Sequence, residues 1–384
     1  MRWPKTPVER LQYFTPRFCP WPACPQHTLR AAGFRFRRHG SYSTRKRAWV
    51  PRFRCAVCRR SFSRQSFAVS YYLKRAELLV PVAAGLQAGS AHRQLARSLG
   101  CAPSTVTRLS ARLGRHALLL SCRSLQQLRG CLSEPVVLDH FESFEFSQDM
   151  PFGVATPVGA GSWFMYGVDP APHARTGRRS ASQRARLAGR PHRQLRGGYG
   201  ASSTRIVQLL LGLAPASGQL ELVSDGHPAY DRAVQNLGAR VRLRRYPNPR
   251  RGPKASPRTA QMLQRDRAMF PVDALHALLR HSLAHHRRET IAFGRRINGL
   301  MERLFVAAVW RNFVKRRSER RPKPVSPAMR VGLTDELWSW RRVLAMRLFE
   351  TREQVPTVWR QLYRRQWTTP ALRSNTRHNL AHAY

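Results

Sequence analysis

Acidic residues are scarce in this sequence. Its 384 residues include 20 Asp and Glu against 68 Lys and Arg, which gives a formal net charge of +48. The basic residues are spread over the whole chain and are not gathered on one amphipathic helix. This distribution favours nucleic acid over a membrane surface as the polyanionic partner. Because carboxylates are few, an acid at the end of an apolar strand is more informative here than in an ordinary sequence.

Long apolar runs and a disulfide framework are also missing. No stretch approaches the roughly 18 apolar residues of a membrane span, and the first residues lead into no signal-peptide core. We therefore expect a cytoplasmic protein associated with the nucleoid. Seven cysteines in a chain of this length do not make a disulfide scaffold. A hydrophobic content of 42% argues against wholesale disorder, and the length predicts two or three domains.

Four of the cysteines form two close pairs. Cys19 and Cys24 are separated by four residues, Cys55 and Cys58 by two, and thirty residues lie between the pairs. Such pairs can turn four thiolates toward one tetrahedral Zn²⁺. The pattern predicts a zinc ribbon over residues 1–70, with reduced core cysteines and no metal as the alternative. Strands are expected around residues 34–36, 49–50 and 53–55. The other cysteines, expected to be ordinary buried thiols, are Cys101, Cys122 and Cys131.

Apolar residues recur at helical spacing between residues 71 and 113. Two runs at three-to-four spacing cover residues 78–86 and 91–99. Gly100 breaks the second run, and Pro103 suits the first turn of a further helix. The pattern predicts a helix-turn-helix DNA-binding domain over residues 71–132, with a plain helical hairpin as the alternative. The residues expected to be exposed on its second helix, facing phosphates and base edges of double-stranded DNA, are Ser104, Thr105, Thr107, Arg108 and Arg112.

Strands and a helix alternate after residue 133, which predicts an α/β domain over residues 133–320. The expected strands are residues 136–138, 163–168 and 221–224, and the expected crossover helix is residues 206–211. Residues 170–200 are rich in Gly, Ser, Pro and Arg and predict a basic loop, either solvated or ordered only on DNA. Residues 321–384 predict an α-helical C-terminal extension. Its apolar residues, expected to pack as core or as a partner surface, are Trp338, Trp340, Leu344, Leu348, Val358 and Leu362.

Two acids stand where apolar strands end, Asp139 after residues 136–138 and Asp225 after residues 222–224. Neighbouring strands lie about 4.8 Å apart, so both carboxylates can share divalent metal. Carboxylate-bound metal ions suit phosphoryl transfer. Each acid also has a structural interpretation. Asp225 followed by Gly226 is a turn signal and a possible helix N-cap, and Asp139 alone is a surface acid at a strand end.

The segment Asp225-Gly226-His227-Pro228-Ala229-Tyr230 resembles the Asp-Gly-aromatic-Pro-x-Tyr box around the second catalytic acid of the insertion-sequence-one group of DDE transposases. Residues 285–293 resemble the basic stretch that follows the third acid in that family. The likeness covers roughly residues 15–315 and is most specific around Asp225 and Arg288. It implies an RNase H-like catalytic fold, Mg²⁺ or Mn²⁺, and assembly as a homo-oligomer. It also implies terminal-inverted-repeat DNA and target DNA as partners.

The resemblance also assigns roles to residues. It makes Asp139 and Asp225 the first two catalytic, metal-binding acids. Matching backward from Phe293 places the third acid on Asp273, where the family has Glu. His276 stands three residues later, where the family has Asn.

Other assignments remain open. The alternatives for the third ligand are Glu289 and Glu302, and an acid favoured by the helix dipole is the structural interpretation of Asp273. Arg287 and Arg288 are expected to clamp the DNA backbone. The expected activity is metal-dependent strand cleavage and strand transfer at element ends. A catalytically inactive DNA-binding regulator is the alternative.

Overall fold

A computed structural model describes residues 14–372 of the chain, apart from several short stretches. Those stretches are residues 29–32, 45–46, 175–177, 189–197, 236, 238–239, 250–252, 254–255, 321 and 346. Arg190, which belongs to the predicted basic loop, therefore lies outside the described residues. None of the described helices combines the length and the apolar character needed to cross a bilayer.

The N-terminal part is a small antiparallel sheet of three strands in the order β1-β2-β3. The strands are β1 (Phe36–Thr44), β2 (Arg47–Cys55) and β3 (Ser61–Ser63). Phe53 and Phe62 stack in its core with ring centroids 5.7 Å apart. Aromatic side chains fill this small core because a unit of this size has few other apolar residues to bury. The strands predicted near residues 34–36 and 49–55 are confirmed.

Three helices follow: α1 (Leu79–Gln87), α2 (His92–Ser98) and α3 (Pro103–Gln127). Gly100 turns the chain between the last two with a φ of +56°, a backbone conformation that glycine adopts without strain. Pro103 opens α3, where its missing N–H is not needed. Helix α3 is 25 residues long, and its residues 109–120 are all buried.

The central sheet has five strands in the order β6-β5-β4-β7-β8. Strands β4, β5 and β6 are antiparallel neighbours, whereas β7 and β8 run parallel to β4. The strands are β4 (Val136–Phe144), β5 (Pro151–Gly159), β6 (Asp169–Pro172), β7 (Leu220–Ser224) and β8 (Val241–Arg245). Buried on both faces, the first three residues of β4 are a run of Val and Leu, which fits a central strand.

The helices of this part are α4 (Ala181–Ala188), α5 (Gly198–Leu211), α6 (Pro228–Gln235), α7 (Ala260–Ser282) and α8 (Ile297–Val309). Helices α5, α6 and α7 pack against strands of the sheet. Helix α5 connects β6 to β7 and α6 connects β7 to β8, as parallel strands require. Helix α7 packs on β4, β5 and β7. The predicted crossover helix is confirmed and begins earlier than expected.

The predicted strand over residues 163–168 is wrong. Trp163 adopts a φ of +64° and its N–H donates to the carbonyl of Gly159 at 3.0 Å, so the chain turns there instead of extending. Only Met165 forms an isolated bridge, to Val158. The strand comes later, at β6, inside the segment predicted as a basic loop. That segment also contains α4, so it is not a loop throughout.

Helix α3 packs against α8 at very short range. A Cβ added to Gly114 would lie 2.4 Å from the Cβ of Glu302, so only glycine permits this approach. One hydrophobic core therefore extends from Val69 to Tyr363 and crosses the predicted domain boundary at residue 132.

The prediction of an α-helical C-terminal extension is wrong in its extent. The described part contains only three short helices, α9 (Pro327–Arg330), α10 (Trp340–Val343) and α11 (Thr357–Tyr363). Its apolar side chains enter the core singly instead of sharing one long helical face. Trp359, for example, is buried and donates from Nε1 to the carbonyl of Val168 at 3.0 Å. Of the six residues expected to pack as core, the fully buried ones are Trp340, Leu348 and Leu362.

Candidate functional site

Four cysteine sulfurs meet at one point in the N-terminal sheet. The Sγ atoms of Cys19 and Cys58 are 3.7 Å apart, and those of Cys24 and Cys55 are also 3.7 Å apart. All four lie within 4.8 Å of one another. A tetrahedron with Zn–S bonds of about 2.3 Å has edges of about 3.8 Å, so the sulfurs fit Zn²⁺. The geometry is compatible with a structural zinc site.

Short backbone turns hold each pair of cysteines. The N–H of Cys19 donates to the carbonyl of Gln26 at 3.2 Å, and the N–H of Cys55 donates to that of Arg60 at 3.1 Å. Arg59 has a φ of +59°, which closes the second turn. His27 is buried nearby and is not a ligand. Its Nδ1 donates to the carbonyl of Cys19 at 2.7 Å and its Nε2 accepts from Thr351 at 2.6 Å.

The electrostatics of the cysteines depend on burial. Burial raises the pKa of the Cys19 and Cys24 thiols above the ordinary value. Burial alone would also raise the pKa of Cys55, but the backbone N–H groups of Cys58 and Val57 reverse this, and the net shift is downward. A bound divalent cation favours the thiolate form of all its ligands. Of the remaining cysteines, Cys122 is buried, Cys101 is half-buried and Cys131 is exposed, so the prediction of a buried thiol is wrong for Cys131.

The C-terminal segment packs against the N-terminal sheet and its four cysteines, which together we call the cysteine unit. Phe349 is buried and meets Phe18 edge-on, with ring centroids 5.4 Å apart. Arg347 donates to the carbonyls of Ser66 and Phe67, each at 3.0 Å. The unit is therefore attached to the rest of the molecule by residues more than 280 positions away.

The second candidate site lies on the central sheet, where Asp139 is on β4 and Asp225 directly follows the end of the adjacent parallel strand β7. Val136 is paired with Leu222 and Val137 with Val223. The same register, continued, sets Asp139 opposite Asp225. Side chains at paired positions of neighbouring strands share one face, so the two carboxylates occupy the same level of the sheet.

The two oxygens of Asp139 have different surroundings. Oδ1 accepts from the N–H of His140 at 2.7 Å and from the hydroxyl of Tyr230 at 3.4 Å. Oδ2 lies 3.8 Å from Nδ1 of His276 on α7. The side chain is 22% exposed, so it is neither in bulk solvent nor fully enclosed. Oδ1 is therefore held by hydrogen bonds, and Oδ2 faces His276 on α7.

The pKa of Asp139 is raised to about 7, mainly by burial and next by the negative charge of Asp225. The charge of Asp273 acts in the same direction, while the N–H of His140 and the hydroxyl of Tyr230 lower the pKa. The charges of Asp225 and Asp273 thus lie close enough to Asp139 to disfavour its ionisation. A cation placed among them would relieve this repulsion.

His276 faces Asp139 with an unprotonated nitrogen. Thr156 donates its hydroxyl hydrogen to the carbonyl of Asp139 at 2.9 Å, so Nε2 of His276, 2.8 Å from the same hydroxyl, must be the donor there. Burial lowers the pKa of His276 to about 3, with Arg280 adding to the effect, which keeps the ring neutral. Nδ1 of the neutral ring is then an acceptor. Two electron-pair donors, Asp139 Oδ2 and His276 Nδ1, point toward the same space.

Asp225 and Asp273 are less confined. Oδ1 of Asp225 accepts from the N–H of His227 at 3.0 Å, as its turn interpretation predicts, and Oδ2 has no hydrogen-bond donor among the described residues. Asp273 lies on α7 with its side chain 38% exposed, and its Oδ2 accepts from Nη1 of Arg265 at 2.5 Å. Among the described residues, only the four cysteines form a group of three or more ligand atoms within 4.8 Å. The acid site is more open than the cysteine site.

The two alternative third acids have distinct environments. Glu302 is buried and receives two hydrogen bonds of 2.7 Å from Arg365, which commits both of its oxygens. Glu289 is exposed on the segment that follows α7. Arg287 and Arg288 are exposed beside it. Burial lowers the pKa of Arg280, and the charge of Arg288 lowers it further, which places Arg288 near the helix that carries Asp273.

The residues predicted to contact DNA from α3 are only partly accessible. Ser104, Thr107 and Arg108 are exposed, and Thr105 is half-buried. The prediction that Arg112 is exposed is wrong. It is buried, and its Nη1 donates to the carbonyl of Val69 at 2.8 Å and to that of Tyr71 at 2.6 Å. The helix continues into the core after Arg108, so Arg112 ties α3 to the preceding loop.

Tyr230 and Thr156 were not assigned a role from the sequence, although both contact Asp139. Tyr230 closes the box that begins at Asp225, so its spacing from that acid was a usable signal. Thr156 has no such signal, because it reaches Asp139 only through the antiparallel pairing of β4 and β5. No family model matches the sequence, and no curated protein matches it.

Proposed function

We propose that this protein is a DDE-type transposase that cleaves and joins DNA with the help of divalent metal held by Asp139, Asp225 and Asp273. The observation that carries the proposal is the position of Asp139 on β4 beside Asp225, which directly follows the parallel neighbour β7, below a helix that brings a third acid. In the five-stranded sheet, β4 comes first in the chain and lies in the centre, and helices α5 and α6 lead to the parallel strands β7 and β8. This arrangement supports an RNase H-like fold.

The donor set suits Mg²⁺ or Mn²⁺. Carboxylate oxygens are the ligands these ions prefer, and Mn²⁺ also accepts the imidazole nitrogen that His276 offers. When bound, such an ion activates an oxygen nucleophile and stabilises the leaving oxygen of a phosphodiester. The chain itself fixes the carboxylate of Asp139 through His140 and Tyr230 and presents its second oxygen to the site.

The surrounding charge supports DNA as the substrate. The net charge of +48 attracts a polyanion, and Arg287 and Arg288 are exposed close to the end of α7. The helices α2 and α3, joined at Gly100, support a helix-turn-helix that presents Ser104, Thr107 and Arg108 to DNA. The cysteine unit would add a zinc ribbon to this DNA-binding surface. Assembly as a homo-oligomer is part of the proposal.

A catalytically inactive DNA-binding regulator is the second candidate. It is favoured by one observation, the ion pair between Arg265 and Asp273, which occupies the acid that a metal would need. Such a regulator would keep the DNA-binding helices and the cysteine unit. It would not cleave DNA under any metal condition.

Cleavage of DNA flanking the coding region tests the proposal. Purified protein with Mg²⁺ or Mn²⁺ is expected to nick a plasmid that carries both flanks. Asp139→Asn, Asp225→Asn and Asp273→Asn should each lower the rate by about 10³-fold, which corresponds to about 4 kcal/mol in the barrier. DNA binding should persist in all three variants.

The matched control is Asp266→Asn, on the same helix and bound to the same Arg265. It should cleave like the wild type. If Asp273→Asn retains activity while Glu289→Gln or Glu302→Gln loses it, the third ligand is a different acid although the enzyme class stands. Wild-type protein that binds the flanks but never cuts them would favour the regulator.

A further inference from the structure

An aromatic and cationic patch lies beside α7 and has no part in the site described above. It consists of Trp163, Phe270, Arg311 and Arg317, and we call it the Trp163 patch. The rings of Trp163 and Phe270 have centroids 5.6 Å apart at an angle of 59°. Phe270 is 54% exposed, which is unusual for a large apolar side chain on a helix that packs against a sheet.

Two guanidinium groups lie over the indole ring of Trp163. The Cζ of Arg317 is 4.5 Å from the ring centroid, and that of Arg311 is 5.5 Å from it. Arg311 is buried, its Nη1 has no hydrogen-bond partner, and no described carboxylate forms an ion pair with it. A buried cation with an unused donor is unfavourable unless an anion completes it. The patch therefore combines aromatic surface with the buried positive charge of Arg311, which no described carboxylate neutralises.

The patch is next to the acid site because α7 runs alongside β4. Arg280 donates to the carbonyl of Glu142 at 3.0 Å, His276 faces Asp139, and Phe270 meets Trp163. Phe270 precedes Asp273 by three residues, so both lie on one side of the helix, separated by about 4.5 Å along its axis. A ligand that spans one nucleotide can touch both.

We propose that the Trp163 patch binds one unstacked nucleotide of DNA next to the acid site. The base would stack on the exposed ring of Phe270 and meet the edge of Trp163, and its phosphate would be held by Arg317 and Arg311. Aromatic side chains bind bases of any identity by stacking, and guanidinium groups bind phosphate through paired N–H donors. This inference rests on the proposed function, since it assumes that DNA reaches the acids.

Binding of single-stranded DNA to the intact, zinc-loaded chain tests the proposal, in buffer without Mg²⁺ or Mn²⁺ so that nothing is cleaved. The probes are a fluorescent 12-nucleotide single strand, the same strand with abasic sites, and a blunt duplex. Wild type should bind the natural strand more tightly than the abasic strand. Trp163→Ala and Phe270→Ala should weaken binding of the natural strand by about tenfold and leave the abasic strand and the duplex unchanged.

Controls separate stacking from damage to the fold. Trp163→Phe keeps an aromatic ring and should retain most of the affinity. Leu263→Ala removes another exposed apolar side chain from α7 and should change nothing. Arg317→Met should reduce the salt dependence of single-strand binding by about one phosphate contact.

Equal binding of the natural strand by wild type, Trp163→Ala and Phe270→Ala would overturn the proposal. So would an equal loss for all three probes in these variants, because that result indicates a general defect. Neither outcome affects the transposase assignment if plasmid cleavage persists. Conversely, a wild-type chain that binds none of the probes would overturn the proposed function along with this inference.

Discussion

The four cysteines and the three aspartates differ in how completely the protein positions each set of candidate metal ligands. The cysteine sulfurs are already at tetrahedral spacing, with 3.7 Å between Cys19 and Cys58 and between Cys24 and Cys55, and backbone turns fix them. The aspartates come from two strands and a helix, and one of them is held by Arg265. Structural zinc sites are closed, whereas catalytic sites keep positions open for water and substrate. The difference is compatible with a structural zinc site at the cysteines and, under the proposed function, leaves the aspartates available for chemistry.

The largest expected effect is at the closed set. Wild type should contain about one zinc per chain by metal analysis, and Cys55→Ser should lose it. Structural zinc contributes apparent binding energies on the order of 10 kcal/mol to small domains, so the N-terminal sheet should unfold. Cys131→Ser, which changes an exposed cysteine outside the cluster, is the control and should keep both the zinc and the melting temperature. The comparison fails if a variant with all four cysteines changed to Ser has unchanged zinc content.

Arg112 and Arg108 on α3 also differ in how far the protein encloses them, and changing each should have a smaller effect than losing the zinc. Arg112→Ala removes two hydrogen bonds and leaves buried carbonyls of Val69 and Tyr71 unsatisfied, which should lower the free energy of unfolding by about 2–4 kcal/mol. Arg108→Ala should change it by less than about 0.5 kcal/mol and weaken DNA binding about tenfold. Urea unfolding and DNA titration at physiological salt measure the two effects. Normal DNA affinity in Arg108→Ala would mean that α3 is scaffold only.

The smallest effect is a pH dependence at the open set. Burial and Asp225 raise the pKa of Asp139 to about 7, so the folded state retains a proton that the unfolded chain has already released. The stability from this carboxyl is present below about pH 4 and is lost as the pH rises through about 7. Without Mg²⁺ or Mn²⁺, Asp139→Asn should therefore raise the melting temperature more at pH 8 than at pH 5. An equal change in melting temperature at pH 5 and pH 8 would show that burial and the charge of Asp225 do not raise the pKa of Asp139.

Features encoded over short stretches of sequence were predictable. The two cysteine pairs, the turn at Gly100 and the start of α3 at Pro103 each follow from neighbouring residues. Asp139 and Asp225 were identified because an apolar strand precedes each one. The closure of the cysteine cluster was predicted for the same reason, since each turn is local.

Features that depend on distant contacts were not predictable. Arg112 was expected to be exposed because its polarity fits an outer helical face, but it is buried against the segment before α1, where it bonds the carbonyls of Val69 and Tyr71. The predicted strand at residues 163–168 fails because Trp163 adopts a left-handed backbone conformation that its residue type disfavours. The roles of Thr156 and His276 depend on how β5 and α7 pack around Asp139.

Manganese binding to the intact protein tests the central claim most directly, because it reports on the acid site without requiring the correct DNA end. Mn²⁺ titration followed by electron paramagnetic resonance at pH 8 should show binding in wild type that is lost in Asp139→Asn and in Asp225→Asn. Asp266→Asn, whose carboxylate lies elsewhere on α7, should bind like the wild type, and zinc content should be the same in all of them. Unchanged Mn²⁺ binding in both Asp139→Asn and Asp225→Asn would contradict the account, because these carboxylates would then not form a metal site.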